Sequence, residues 1–335
     1  EAIRVVHGFA YGLASTAAST IVATIIPLKR QGEGIGYFTL GVTIASAIGP
    51  FLGIWFTQHG MYEASVWICS AVGVLAFVLS LLIRTPAHRM TEAEKKEMRT
   101  LKFSTFFQLE ALPISFIAML GGVCYSTVLA YIGAYSQSLS LFWAGSVFFL
   151  GFAFTSIISR PVTGRLLDEF GGSVVVYPAL IFLAAAMVLI GASRSNGMLL
   201  SGALVLGLGF ATITSACHAL AVFVSPQKYV GRATATYFVL LDVGVGIGPY
   251  TLGLLVPYFG FSAVYFAAAS VAAVGILIYW AVIGRTGIFS TLVMRKVRSM
   301  RLNQIEIDPS KVSSAYRRGE EIEFDDPQPN QKKDA

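Results

Sequence analysis

The chain has 335 residues, of which 55% are hydrophobic and only 13% are charged, and its net charge is +6. This composition is too apolar for a soluble globular domain of this size and predicts an integral membrane protein. The three cysteines, Cys69, Cys124 and Cys217, lie inside apolar runs and lack the spacing of a metal site. We therefore predict neither a disulfide framework nor a bound metal, and no sequence motif indicates a cofactor.

Nine apolar runs reach the length of about 20 residues that a helix needs to cross a bilayer. None of them alternates between apolar and polar residues as a barrel strand would, so the predicted fold class is an all-α membrane protein. The predicted spans cover residues 3–27, 36–58, 63–84, 111–136, 141–163, 173–193, 197–224, 233–257 and 262–284.

Basic residues concentrate on alternate connections between these spans. They occur at 29–30, 84–102, 160–165 and 228–232 and again beyond residue 284, whereas Arg194 is the only basic residue in the other connections. The positive-inside rule places the basic connections and the C terminus in the cytoplasm of a multi-pass cell-membrane protein. With nine spans, residue 1 would then lie outside the cell and directly at an apolar run. We therefore expect spans before residue 1 to be missing.

A Gly-Pro pair followed by another glycine occurs in two apolar runs and reveals an internal repeat. The helix-packing residues of the two copies are Gly49, Pro50 and Gly53 in the first and Gly248, Pro249 and Gly253 in the second. The match extends upstream to Gly32 and Gly231, so the first two spans are equivalent to the seventh and eighth. Parallel repeats of six helices are a recurring transporter plan, in which the first span here would be helix 4 of twelve. We expect the Gly-Pro pairs to pack closely at the interface between the two halves.

The most specific motif is GRLLDEFGG at 164–172, in a predicted connection between two spans. Gly164, Asp168 and Gly171 fall at the spacing of the loop between helices 8 and 9 in the major facilitator superfamily, which this chain resembles. The resemblance implies that the Asp168 carboxylate docks near residues 34–37, at the N-terminal end of helix 5, where the helix dipole favours negative charge. These three residues would form a conformational latch between the halves. An ordinary solvated turn is the alternative.

Two further motifs resemble the drug:proton antiporter branch of that superfamily. IGPFLG at 48–53 is similar to its helix 5 motif, although Ile54 stands where a second glycine is usual, and Arg4 with Gly8 and Gly12 resembles its helix 4 motif. The resemblance implies a 6+6 helix bundle in which nine helices, equivalent to helices 4 to 12, are present and the first three are lacking. The expected divisions are the N-terminal half at 1–84, a cytoplasmic loop at 85–110, the C-terminal half at 111–284 and a largely disordered cytoplasmic tail at 285–335.

Ionisable side chains at membrane depth are costly, so each of them needs a partner or a function. Asp242 lies about ten residues into its predicted span, where a carboxyl group can change between neutral and charged as its surroundings change. In the repeat Asp242 corresponds to Thr43, and Arg4 and His218 also have uncharged counterparts. Because residues that differ between equivalent helices are less suited to a scaffold role, Asp242, Arg4 and His218 are the proton-coupling candidates. A hydrogen-bonded structural role is the alternative for Asp242 and His218.

The superfamily resemblance implies a central cavity lined by helices 1, 4, 7 and 10, of which the last three correspond to the first, fourth and seventh spans here. The fourth and seventh spans carry aromatic rings and hydroxyl groups, a mixture that suits amphipathic solutes. Helix packing is the alternative role for these side chains. The substrate-cavity candidates are Tyr125, Ser126, Tyr131, Tyr135, Phe210, Thr212 and Thr214.

These features predict a secondary active transporter that exports small amphipathic molecules in exchange for protons. Symport of a sugar or organic ion is the alternative within transport, and a truncated, nontransporting membrane receptor or regulator is the alternative of another class. The sequence has no P-loop, metal-ligand helix or nucleophile motif, so we do not expect an enzyme. The expected partners are a small-molecule substrate, protons and the lipid bilayer, without nucleic acid, and the expected state is a monomer.

Overall fold

The computed structural model describes residues 2–27, 30–58, 60–83, 107–226 and 229–284 of the chain. Nine long helices follow one another in these ranges, and the predicted all-α fold class is confirmed. A 3-10 turn at Leu109–Ala111 precedes the fourth helix, and a π-helical turn at Trp280–Gly284 follows the ninth. The helices are α1 Ala2–Ile25, α2 Gln31–Gln58, α3 Tyr62–Leu81, α4 Leu112–Ser138, α5 Phe142–Phe170, α6 Gly172–Gly191, α7 Asn196–Val224, α8 Val230–Gly253 and α9 Val256–Tyr279.

Eight of the helices, α1 and α3 to α9, contain described segments that are both long enough and apolar enough to cross a membrane. The prediction of a multi-pass membrane protein is therefore confirmed. Most of the predicted central loop at 85–110, and the whole predicted tail at 285–335, lie outside the described residues.

Two helices extend beyond the apolar runs that predicted them. α2 begins at Gln31 rather than at residue 36, and α5 continues to Phe170 rather than ending at residue 163. An apolar run predicts only the part of a helix that lies in the hydrocarbon layer of the membrane. The helix itself continues as long as its backbone hydrogen bonds continue, and these also form through polar residues. Most of the motif at 164–172 therefore belongs to the last turns of α5, and its placement in a loop is wrong.

α7 lies at the centre of the bundle and packs against α2, α4, α5 and α6. Its buried face consists largely of alanine, glycine, serine and threonine, which let neighbouring helices come close in a membrane. α4 packs along α8, and α6 packs along α9. One side of α7 is therefore surrounded by α2, α4 and α5, and the polar side chains of the candidate site come from these helices and from α8.

α3 is the least enclosed helix of the described part. It contacts α2, and none of its residues is buried. Trp67, for example, is 74% exposed. An apolar helix that is exposed on all sides has to be covered by lipid or by another apolar surface, because water would leave its side chains hydrated at a high cost.

The two Gly-Pro pairs differ in their packing. Gly248 of α8 lies against α4, where an added Cβ atom would come within 2.7 Å of the Val123 carbonyl oxygen. At Gly49 of α2 no described atom lies within 4 Å of the corresponding position. The side chains of Pro50 and Gly53 are outside the described part. α4 and α8 belong to the same predicted half, so this contact of Gly248 lies within that half. The expected position of the Gly-Pro pairs between the halves stays a prediction.

We expect Gly248→Ala to lower the thermal unfolding midpoint of the purified protein by a few degrees. The added methyl group would overlap with the α4 backbone near Val123, and overpacking of this kind costs about 1–3 kcal/mol. Gly246→Ala on the same helix is the matched control, because no described atom lies within 4 Å of its Cβ position. An equal loss of stability in both variants would contradict the close contact between α4 and α8.

Candidate functional site

The carboxylate of Asp168, near the end of α5, lies against the first turn of α2. The backbone N–H groups of Gly32 and Glu33 donate hydrogen bonds to its two oxygens at 2.8 and 3.0 Å. The first N–H groups of a helix have no acceptor within the helix, and the helix dipole favours a negative charge beside them. Asp168 therefore caps α2. The contact lies slightly before the predicted region at 34–37, because α2 begins earlier than predicted.

Two glycines of the same motif determine how α5 meets its neighbours. At Gly164, one turn before Asp168, an added Cβ atom would lie 2.8 Å from the Glu33 Cα and 3.0 Å from the Gly32 carbonyl oxygen. The absence of a side chain at Gly164 thus lets the backbones of α2 and α5 touch. Gly171 ends α5 with a φ of 86°, a left-handed conformation that glycine adopts without strain.

Arg160 lies two turns before Asp168 on α5, and its side chain is only 4% exposed. The hydropathy pattern predicted that Arg160 belongs to a basic connection between spans. This prediction is wrong, because Arg160 lies within α5. Its Nη2 donates to the Thr43 Oγ1 at 2.6 Å, and its Nη1 donates to the Thr39 Oγ1. A longer contact of 3.5 Å joins Nη1 to the Gly36 carbonyl oxygen. All of these acceptors belong to α2.

Sequence reasoning missed Arg160, although a signal for it was present. Arg160, Gly164 and Asp168 recur every four residues, which places them along one face of a helix. Once the helix is extended to residue 170, this face meets α2 over about 12 Å, the length of eight helical residues. A face that carries a cation, a glycine and a carboxylate in this order predicts a contact with another helix.

Asp242, the first proton-coupling candidate, lies in the middle of α8 with an exposed side chain. No described residue forms a hydrogen bond or ion pair with it, so no fixed partner in the described ranges holds it in one protonation state. Tyr237 lies five residues earlier on the same helix. The side chain of Arg4, the second candidate, is outside the described part, and only its backbone position in α1 is known.

His218, the third candidate, is enclosed within the bundle. It is 1% exposed, and neither ring nitrogen has a hydrogen-bond partner among the described residues. Its ring stacks on Tyr237 of α8 with centroids 4.8 Å apart and an interplanar angle of 13°. The Tyr237 hydroxyl donates to the Thr214 carbonyl oxygen at 2.8 Å. His218 is therefore packed against an aromatic ring that separates it from solvent on that side.

Tyr237 of α8 contacts α7 at one of the proton-coupling candidates. It stacks on His218, and its hydroxyl donates to the Thr214 carbonyl oxygen. The local sequence around Tyr237 gave no signal of this position, because an aromatic residue in an apolar run ordinarily packs against lipid or other helices. The structure thus brings His218 and Tyr237 together from two helices.

Two predicted cavity residues, Tyr125 of α4 and Phe210 of α7, stack on one another. Their ring centroids are 4.0 Å apart and the rings are nearly parallel, at 8°. Phe152 of α5 lies 5.5 Å from the Tyr125 ring. This aromatic cluster therefore joins α4, α5 and α7 at the centre of the bundle, and Phe152 was not predicted.

The other tyrosines among the cavity candidates pack helices together. The Tyr131 hydroxyl donates to the Pro249 carbonyl oxygen of α8 at 2.7 Å, and the ring also lies against Gly253. The Tyr135 hydroxyl donates to the Gly191 carbonyl oxygen of α6 at 3.0 Å. These contacts favour the packing interpretation for both tyrosines. The remaining candidates have hydroxyl groups that are bonded within their own helices or lack a described partner: Ser126, Thr212 and Thr214.

These observations define a polytopic helical bundle with a few polar and ionisable groups at its centre. Ionisable groups retained at membrane depth are typical of transport pathways and proton relays. In the described ranges no group of three or more His, Cys, Asp or Glu side chains is placed to hold a metal ion. This arrangement is typical of a membrane transporter.

The family model for the Major Facilitator Superfamily matches residues 2–154 and 138–290. The chain belongs to this superfamily, and the resemblance noted in the sequence is confirmed. Members of the family are membrane transporters, so the expectation that the protein is not an enzyme is also confirmed.

Similar proteins agree with this assignment at low identity. The uncharacterized MFS-type transporter MJ1560 of Methanocaldococcus jannaschii is 25% identical over 83% of this chain and 73% of its own length. The multi-drug resistance efflux pump PmrA of Streptococcus pneumoniae is 22% identical over 80% of this chain and 68% of its own length. The crystal structure of the human organic anion transporter MFSD10 has a TM-score of 0.61, with 17% identity over 78% of this chain and 67% of that one. This last similarity concerns the fold.

Proposed function

We propose that the protein is a secondary active transporter that exports small amphipathic molecules in exchange for protons by alternating access. The contact of Asp168 with α2 is the observation that carries this proposal. It joins helices of the two predicted halves, and its geometry can be satisfied in only one arrangement of them. Alternating access requires an interface that is closed in one state of the transporter and open in the other.

The Asp168 contact stabilises the state in which α2 and α5 lie together at this end of the bundle. Two charge-assisted hydrogen bonds and the dipole of α2 favour it, and Gly164 allows the backbones to touch. The distribution of basic residues supports an orientation in which the end of the bundle that contains Asp168 lies in the cytoplasm. In this orientation of a cell-membrane protein the C terminus is cytoplasmic as well. On that orientation the contact closes the cytoplasmic side and holds the transporter open to the outside.

Asp242 is the proposed proton carrier. It is exposed on α8, and no described residue forms a hydrogen bond or ion pair with it. A carboxyl group in such a place can bind a proton in one state and release it in the other, since its surroundings differ between the states. Arg4 and His218 remain secondary candidates, and the enclosure of His218 favours Asp242 in the described state.

The aromatic cluster at Tyr125 is the proposed contact for the apolar part of the substrate. It lies where α4, α5 and α7 meet, and α2 of the other predicted half packs against α5 and α7. Aromatic rings offer a large apolar surface with few polar requirements, which suits chemically varied amphipathic molecules. The name of PmrA, a multi-drug resistance efflux pump, supports the same substrate class and direction.

We expect Tyr125→Leu to weaken the binding of amphipathic dyes such as ethidium by about 3- to 10-fold, because the stack with Phe210 is lost. Tyr125→Phe keeps the ring and its stack with Phe210, and it should bind nearly as well as the wild type. Fluorescence titration of the purified complete protein measures both. Equal affinity in the leucine variant and the wild type would rule out this cluster as the dye-binding surface.

The function is tested with the complete protein in liposomes that are loaded with a pH-sensitive dye. An imposed proton gradient should drive ethidium against the proton flow, and added ethidium should move protons in the opposite direction. Movement of solute and protons in the same direction would indicate symport instead. No gradient-dependent movement across a panel of amphipathic solutes, with protein that is folded and correctly inserted, would contradict proton-coupled efflux.

A further inference from the structure

Arg160 is the buried cation that the proposed transport cycle does not yet use. Arg160 is only 4% exposed, yet no described carboxylate lies within ion-pair distance of it. Its described acceptors are the hydroxyls of Thr39 and Thr43 and the Gly36 carbonyl, all on α2, while its Nε has no described acceptor. An arginine keeps its charge at every physiological pH, so this positive charge is permanent.

A buried charge whose hydrogen-bond acceptors all lie on one neighbouring helix stabilises the contact with that helix. If α2 moves away from α5, Arg160 loses every described acceptor at once, and water or a new partner has to replace them. The three acceptors recur along a single face of α2, at positions 36, 39 and 43. The hydrogen bonds of Arg160 therefore favour the closed arrangement of α2 and α5.

Arg160 and Asp168 act at different depths of the same interface. They lie on one face of α5, about 12 Å apart along its axis, and Gly164 lies between them. Asp168 meets the backbone at the start of α2, whereas Arg160 meets side-chain hydroxyls further inside the bundle. Separation of the two helices at Asp168 alone would leave the inner contact in place.

We propose that Arg160 is a positioning residue for transport: its hydrogen bonds to Thr39 and Thr43 form a second, intramembrane contact that keeps the α2–α5 interface closed after the Asp168 contact has opened. The proposal rests on the alternating access proposed above. Both contacts have to break before the interface opens fully. Because Arg160 does not titrate, its contribution to the closed state is independent of pH.

The test measures the distance between spin labels on α2 and α5 in the complete protein. Tyr37→Cys and Val162→Cys provide the label sites, since these side chains are 49% and 58% exposed. The native cysteines are replaced by alanine in all variants. We expect Arg160→Gln to raise the ratio of open to closed populations roughly tenfold, because a charged donor is lost from the interface. The matched control is Arg165→Gln, which removes a charge that is 66% exposed and should change the ratio less than twofold.

Thr43→Ala keeps the proposal testable if Arg160→Gln does not fold. It removes one acceptor, and it should shift the ratio in the same direction by about threefold, whereas the combination with Arg160→Gln should add little. A folded Arg160→Gln or Thr43→Ala protein with the wild-type ratio would overturn the proposal. Loss of thermal stability without a change in the ratio would assign Arg160 a purely structural role. A wild-type protein that shows one distance under all conditions would instead contradict the proposed alternating access.

Discussion

Replacing Asp168 with Asn is expected to open the α2–α5 interface at the end where Asp168 caps α2, which is the proposed cytoplasmic end. The variant loses the negative charge beside the first turn of α2, and an amide offers only one oxygen to the N–H groups of Gly32 and Glu33. Hydrogen bonds to a charged group contribute about 1.5–3 kcal/mol each, so the closed state should lose at least a tenfold preference. We expect substrate transport to fall in parallel, because the outward-facing state is populated less.

Cysteine cross-linking measures this opening. In protein without its native cysteines, Glu33→Cys and Arg165→Cys place thiols where the two side chains approach to 3.5 Å, and the loss of that exposed ion pair should itself matter little. The cross-linking rate should fall about tenfold when Asp168→Asn is added. Glu169→Gln removes the adjacent carboxylate, which is exposed, and is the matched control. Unchanged cross-linking and transport in Asp168→Asn would show that the contact is not a latch.

Asp242→Asn is expected to abolish gradient-driven transport, with a loss of about 100-fold or more. An amide cannot bind and release a proton, whereas it preserves the size of the side chain. Exchange of solute across the membrane without a proton gradient should continue, because binding and alternating access do not themselves require the carboxyl group. Comparison of gradient-driven uptake with exchange in the same liposomes separates these effects.

Two variants control the Asp242 experiment. Asp242→Glu keeps a titrating carboxyl group and should retain part of the gradient-driven rate. Tyr237→Phe keeps the ring that stacks on His218 and removes the hydroxyl, so it tests whether the neighbouring tyrosine contributes to coupling. If Asp242→Asn transported at the wild-type rate and followed the proton gradient, another residue would have to carry the proton.

The helical membrane fold could be predicted because a bilayer leaves few choices to the chain. A run of about 20 apolar residues has to satisfy its own backbone hydrogen bonds, and a helix does so within one segment. The ends of α2 and α5 could not be predicted in the same way. Their polar residues are stabilised by the contact of one helix with the other, and hydropathy carries no information about such a contact.

The candidate site was predictable where a motif carried its geometry. The resemblance of GRLLDEFGG to a superfamily motif implied a docking carboxylate at Asp168, and the structure shows its two hydrogen bonds to α2. Arg160 was misassigned because a basic residue near the end of an apolar run ordinarily lies in a connection. Its acceptor Thr43 is 117 residues away, and only the packing of α2 on α5 brings them together.

The directions of aromatic side chains were the least predictable feature. Tyr125 and Tyr135 share a helix and a residue type, yet one stacks on Phe210 and the other donates to a backbone carbonyl of α6. The repeat likewise predicted equal roles for the two Gly-Pro pairs, but Gly248 packs against α4 and Gly49 has no described neighbour at the same position.

The central claim is that α2 and α5 separate and rejoin during transport. The distance between spin labels at Tyr37→Cys and Val162→Cys tests it most directly, measured for the complete protein in liposomes over a range of pH, with and without ethidium. We expect two populations, a closed one matching the contacts of Asp168 and Arg160 and an open one, with proportions that change with protons and solute. A single closed population under every condition, in protein that still transports, would contradict the account.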